Sequence, residues 1–146
     1  MKKYTTLLFM AGTILLMISC SDMTERIPKD RFIGKWELVG RSMFEGIEVE
    51  IYQEDGAMYG RIIKLNDNKY VKMFLEIDDT WISGITRGSN YEFAITEKRI
   101  GSPLFSIYGI STSDKYSVQF IDENTFALGD KGRDPLKSSI KYVRIE

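Results

Sequence analysis

From Phe32 to the end of the chain, apolar and polar positions alternate in short runs. Turn residues interrupt them at intervals of roughly 8–12 residues, the pattern of antiparallel strands joined by hairpins. The runs cover residues 34–40, 46–53, 57–65, 69–77, 80–86, 91–96, 104–111, 116–121, 125–129 and 138–146. Between them stand Asp55-Gly56, Asn66-Asp67-Asn68, Asp78-Asp79, Gly88-Ser89-Asn90, Gly101-Ser102-Pro103, Ser113-Asp114, Asp122-Glu123-Asn124 and a polar loop over 130–135. No stretch after Phe32 holds a 3.6-residue apolar period over three turns, so no long amphipathic helix is predicted. The expectation is an all-β fold, a small antiparallel up-and-down β-barrel of about eight to ten strands, because closure removes exposed strand edges. A two-sheet sandwich is the structural alternative.

One hairpin is predicted to the level of register. Asp55-Gly56 suits a two-residue type I′ turn, which needs positive φ at both positions. That turn sets Glu54 opposite Ala57, Tyr52 opposite Tyr59, Glu50 opposite Arg61 and Val49 opposite Ile62. Opposite charges then share one face and aliphatics the other, each pair contributing a few tenths to about 1 kcal/mol. Glu48 would meet Ile63, a poor match, so a bulge or the end of pairing is expected there.

The N-terminus has a different pattern. Lys2 and Lys3 precede an apolar run over residues 7–18 that ends at Ser19-Cys20. A basic start, a short apolar run and a small residue make a secretory signal, since a transmembrane helix needs about 20 apolar residues. With the single cysteine, Cys20, directly after a small residue, the segment resembles the signal of bacterial lipoproteins, which are cut before the cysteine and lipidated on it. Met17 stands where the commonest form has leucine. The resemblance implies a signal over residues 1–19, a lipidated Cys20 with a polar tether over 20–31 that includes Pro28, and a barrel over 32–146. Ser21 follows the cysteine where an aspartate would mark inner-membrane retention in enteric bacteria. By that sorting rule the implied address is the bacterial cell envelope, held by lipid in the outer membrane.

Removing residues 1–19 takes away two lysines and leaves 127 residues with 18 basic against 21 acidic, a net charge of −3. That length suits one domain with one core. The balance argues against a nucleic-acid partner, which calls for a basic face. The chain has no histidine, and its one cysteine is assigned to the lipid. Ser-His-Asp and Cys-His nucleophiles, imidazole acid–base chemistry and nearly all zinc sites are thereby excluded. The expectation is a protein that is not an enzyme, with no cofactor and no metal.

The start of the barrel reads Phe32-Ile33-Gly34-Lys35-Trp36, and its last run contains Arg144. Gly34-x-Trp36 on a first strand resembles the short motif of lipocalins and their relatives, the fatty-acid-binding proteins. The resemblance implies a lipocalin-like (calycin) barrel in which Gly34, Trp36 and Arg144 close one end, the arginine packing across the indole. A cation over an indole is favourable by about 0.5–2 kcal/mol. Residues 41–46 are too few for the two-helix lid that fatty-acid-binding proteins insert after the first strand, so no helical lid is expected. Nor does the sequence reveal the internal arginine pair with tyrosine that those proteins use on a carboxylate. The chain also stops at its final strand, without the terminal helix of longer lipocalins.

The expected function is non-catalytic binding of a small apolar or amphipathic ligand. Met58, Met73, Trp81, Phe93, Tyr108, Tyr116 and Phe120 are the candidate lining. Trp81, just after the acidic turn, is placed at a barrel mouth. The alternative is a solid-cored barrel acting as a protein–protein interaction module in the envelope. An internal void separates the first reading from a packed interior with an exposed apolar patch, the mark of the second. The carboxylate pairs Glu54-Asp55, Asp78-Asp79 and Asp122-Glu123 fall at turns, where aspartate is favoured for its own backbone hydrogen bonds. The loop over 130–135 is read as a connection.

Overall fold

Each strand of the barrel is hydrogen-bonded to the next along the chain, and the last returns to the first. The computed structural model describes residues 25–146; the expected signal over 1–19 and the lipid site at Cys20 lie outside them. The strands are β1 (Gly34–Val39), β2 (Glu48–Glu54), β3 (Ala57–Lys64), β4 (Thr80–Arg87), β5 (Glu92–Lys98), β6 (Ser113–Asp122), β7 (Thr125–Gly129) and β8 (Lys141–Arg144). They form a closed antiparallel barrel in sequence order, with Trp36 of β1 opposite Arg144 of β8. The up-and-down barrel expected from the alternation is present, and the sandwich is not.

Two of the ten predicted runs are not strands. Residues 69–77 begin with helix α1 (Lys69–Phe74), and residues 104–111 overlap helix α2 (Ser102–Ile107). In both cases the breaker before the run starts a helix. The Asn68 side chain accepts from the backbone N–H groups of Tyr70 and Val71, an N-cap. Pro103 lies in the first turn of α2, where its missing N–H costs nothing.

The predicted hairpin forms in the expected register, from Glu54 opposite Ala57 to Val49 opposite Ile62. Asp55 and Gly56 have φ of 50° and 78°, as a type I′ turn requires. Glu50 accepts from Arg61 at 2.6 Å, and the register slips between Glu48 and Val49, so that Glu48 pairs with Lys64. The bulge thus replaces a mismatched pair with an ion pair.

The barrel has two unlike ends. At one end lie the 55–56, 88–91 and 123–124 turns, together with the chain leading into β1. Part of the expected tether packs here: a 3₁₀ turn over Lys29–Phe32 buries Phe32 completely, and Arg87 Nη2 donates to the Ile27 carbonyl at 2.6 Å. The Phe32 ring lies 4.9, 4.7 and 5.1 Å from those of Phe93, Phe120 and Phe126. The fully buried Trp36 donates its indole N–H to the Phe32 carbonyl at 2.8 Å. Arg144 covers this plug, with its guanidinium 4.1 Å from the Trp36 ring centroid and donating to the carbonyls of Ile33 and Arg31. A Cβ on Gly34, at φ +138°, would come within 2.5 Å of Arg144 Nη1, so this approach requires glycine. This is the closed end.

The other end carries the β1–β2 connection, α1, α2 and the β7–β8 loop. The β1–β2 connection holds one 3₁₀ turn, Ser42–Phe44, so no two-helix lid follows β1.

Between the ends the interior is filled by buried side chains, among them Leu38, Val49, Ile51, Ile62, Ile95, Val118 and Leu128. At Gly60 an added Cβ would already lie 2.9 Å from Ile82 Cβ and 3.0 Å from Val49 Cγ1. Interiors of eight-stranded barrels are about wide enough for side chains to fill.

Candidate functional site at the open mouth

The seven residues proposed from sequence as a ligand lining do not form one site. Met58, Phe93 and Phe120 belong to the closed half of the barrel, the last two within its aromatic plug. Met73 lies on α1 and Tyr108 at the end of α2, outside the barrel and 68% and 77% exposed. Only Trp81 and Tyr116 come together at the open end, and both are buried.

These two join a polar cluster that closes the open end from inside. β5 alternates Phe93, Ile95 and Glu97 on its inward face, which carries the Glu97 carboxylate into the barrel, where it is 2% exposed. Tyr142 of β8 donates to Glu97 Oε1 at 2.5 Å and accepts from the Trp81 indole N–H of β4 at 2.8 Å. Arg41 enters from above, on the β1–β2 connection. Its Nη1 pairs with Glu97 Oε2, and its Nη2 donates to the Tyr116 hydroxyl at 2.9 Å. The guanidinium carbon lies 5.2, 5.7 and 5.1 Å from the ring centroids of Phe44, Trp81 and Tyr116. One arginine, two tyrosines and the chain's own carboxylate thus meet inside the barrel.

The electrostatics follow from this enclosure. Burial alone would lower the Arg41 pKa, but the charge and hydrogen bond of Glu97 outweigh it and hold it above its ordinary value. Burial first, and the Glu97 charge second, push the Tyr142 hydroxyl well above a normal phenol. No buried side-chain polar atom among the described residues lacks a hydrogen-bond partner. The cluster is complete in itself, with Arg41 as its one charged member from outside the barrel wall.

Above the cluster, the surface opens into two adjoining cavities of about 240 and 260 Å³ that share Lys98 and Arg99. Phe44, Trp81, Ile100 and Phe105 line the first, and Phe74 and Leu75 the second. Arg99 is paired with Asp114 at 2.6 Å. Around this cleft the two helices expose apolar side chains: Tyr70, Met73, Phe74 and Ile77 from α1 and its exit, Leu104, Ile107, Tyr108 and Ile110 from α2 and its exit. Residues 100–112 contain no charged side chain.

Comparison with models of known protein families, with curated proteins and with solved structures gives no match. Function must therefore be argued from the geometry.

The remaining sequence candidates are structural. Asp79 accepts from the Glu76 N–H and Asp122 from the Asn124 N–H, both at 2.8 Å, as turn-forming aspartates do. Among the described residues, no group of three or more acidic or cysteine side chains is placed to hold a metal ion. The loop over 130–135 folds back on the barrel wall, where Ser117 Oγ donates to the carbonyls of Gly129 and Arg133 at 3.1 and 3.3 Å.

Proposed function

We propose that this protein is a lipid-anchored lipoprotein of the bacterial envelope whose lipocalin-like barrel binds a small amphipathic ligand without catalysis. The ligand belongs at the open mouth rather than in a central chamber, because the interior below the mouth is filled. One observation carries the reading: a cleft that sets the apolar side chains of Phe44, Ile100, Phe105, Phe74 and Leu75 beside Lys98, Arg99 and Asp114 opens over a buried, charged polar cluster. Ligand sites combine mostly apolar walls with a few placed polar groups. The described chain enters at the closed end, so an anchor at Cys20 ties the barrel from that end and leaves the mouth free.

The packed interior and the exposed apolar rim are the marks of the second reading, a solid-cored barrel that contacts another envelope protein through α1 and α2, so the ligand reading stands on the mouth cleft alone. Native mass spectrometry of the protein purified from its own envelope separates the two. A discrete added mass that organic extraction removes, and that Trp81→Ala weakens, supports the ligand reading. A bare protein that stays bare when offered amphiphiles refutes it, and cross-links from Ile107 and Met73 to one protein would establish the second.

A further inference from the structure

The arrangement around Arg41 has the chemistry of a cation receptor. Three aromatic rings face one guanidinium, and a buried carboxylate lies beneath it. Aromatic faces attract cations most strongly where water is excluded, and rings grouped in this way recognise ammonium heads. The carboxylate, two of the rings and the tyrosine hydroxyls belong to the barrel wall: Glu97 on β5, Trp81 on β4, Tyr116 on β6 and Tyr142 on β8. The cation does not. Arg41 reaches in from a connection and remains 18% exposed at the floor of the 240 Å³ cavity.

We propose that the mouth is a site for an organic cation, an ammonium or guanidinium head that displaces Arg41 from the cage of Phe44, Trp81 and Tyr116 and pairs with Glu97. Arg41 is the tethered occupant of this site when it is empty of ligand. Exchanging one cation for another keeps Glu97 neutralised throughout, so the carboxylate is never left buried and unpaired. The exchange needs only side-chain rotation. The backbone N–H groups of Gly40 and Arg41 are held by Glu45 Oε2 at 2.6 and 3.2 Å, and those bonds are independent of the guanidinium. Arg99 beside the cage is neutralised by Asp114, and Lys98 shares its cavity with Asp79. This inference rests on the amphipathic-ligand reading and names the head group. The apolar part of such a ligand would leave the cage between α1 and α2, along Phe105 and Phe74.

The test is a titration of the wild-type protein with methylguanidinium, tetramethylammonium and hexyltrimethylammonium at constant ionic strength. The readout is the Trp81 indole N–H resonance. The expected result is a saturable shift with each cation, strongest with the hexyl compound, and about tenfold tighter binding in Arg41→Gln, where the tethered competitor is gone. Adding Glu97→Gln to that variant abolishes the shift. A wild-type Trp81 resonance that none of the cations moves overturns the proposal, whether or not Arg41→Gln folds. So does an equal shift by hexanol, which would assign the cleft to apolar contact alone. An extractable natural ligand found alongside either negative result would leave the amphipathic reading standing and remove only the cationic head.

Discussion

Replacing Arg144 with alanine tests whether the closed end is held as described. The residue covers an indole that is otherwise fully buried, at 4.1 Å, and its two Nη groups donate to the carbonyls of Ile33 and Arg31 at 3.0 and 2.5 Å. The cation–π contact is worth about 0.5–2 kcal/mol. Water partly replaces the donors at these accessible carbonyls, so each hydrogen bond adds about 1 kcal/mol rather than the larger value of a buried charged pair. Arg144→Ala should therefore cost about 2–4 kcal/mol. With a urea m-value of about 2 kcal/mol/M, the midpoint should fall by about 1–2 M. Arg144→Met keeps apolar cover over Trp36 but loses charge and donors, so it should fall between wild type and alanine. Fluorescence in a Trp81→Phe background isolates Trp36 as the probe, because these are the only two tryptophans. A loss below about 0.5 kcal/mol, the range of an ordinary surface substitution, would refute the closure argument.

Three further outcomes follow from single contacts. Gly40→Ala places a Cβ 1.9 Å from the Ser139 carbonyl at φ +76°, whereas Gly56→Ala meets nothing within 4 Å at φ +78°. Gly56→Ala should cost only the left-handed penalty of about 1–2 kcal/mol and Gly40→Ala clearly more, as compared by urea denaturation. Tyr142 has its pKa raised in the fold, so its share of stability is complete below pH about 10 and is lost above it. That loss proceeds at about 1.4 kcal/mol per pH unit, and Tyr142→Phe should flatten the alkaline limb while costing about 1–3 kcal/mol at neutral pH. Ile107→Asp, at a side chain 76% exposed, should change stability by less than about 0.5 kcal/mol; a larger loss in thermal unfolding would mean that α2 packs on the barrel.

Part of the closed end was legible in the sequence, from local turn chemistry and from the resemblance to lipocalins. Asp55-Gly56 sets its hairpin unaided, whereas the closure by Gly34, Trp36 and Arg144 was implied only by the resemblance to lipocalins. The open end was not, for two reasons. Asn68 and Pro103 mark both turns and helix starts, and six-residue helices are too short for their period to overrule a β-rich composition. Glu97 was detectable in principle, since it continues the inward positions of Phe93 and Ile95 on β5. Its partner was not: Arg41 lies 56 residues away in a connection with no periodicity, and only closure of the barrel brings the two together.

The same contrast bears on why the open end is polar at all. The closed end shows that this chain can seal a barrel with tilted and edge-to-face rings and one arginine on the outside. The open end instead buries a carboxylate and takes its counter-charge from a connection. A buried ion pair is often no more stabilising than apolar side chains of the same volume, while losing either partner costs about 3–5 kcal/mol. Stability alone therefore gives little reason to build Glu97 and Arg41 into the mouth when a second aromatic plug would serve. The two arrangements differ in what they permit. An apolar plug can only be packed or unpacked, whereas a carboxylate whose cation hangs on a connection can exchange that cation and remain paired. That capacity is confined to the end where the cleft opens, and it is why the mouth rather than the interior is read as the working part of the barrel.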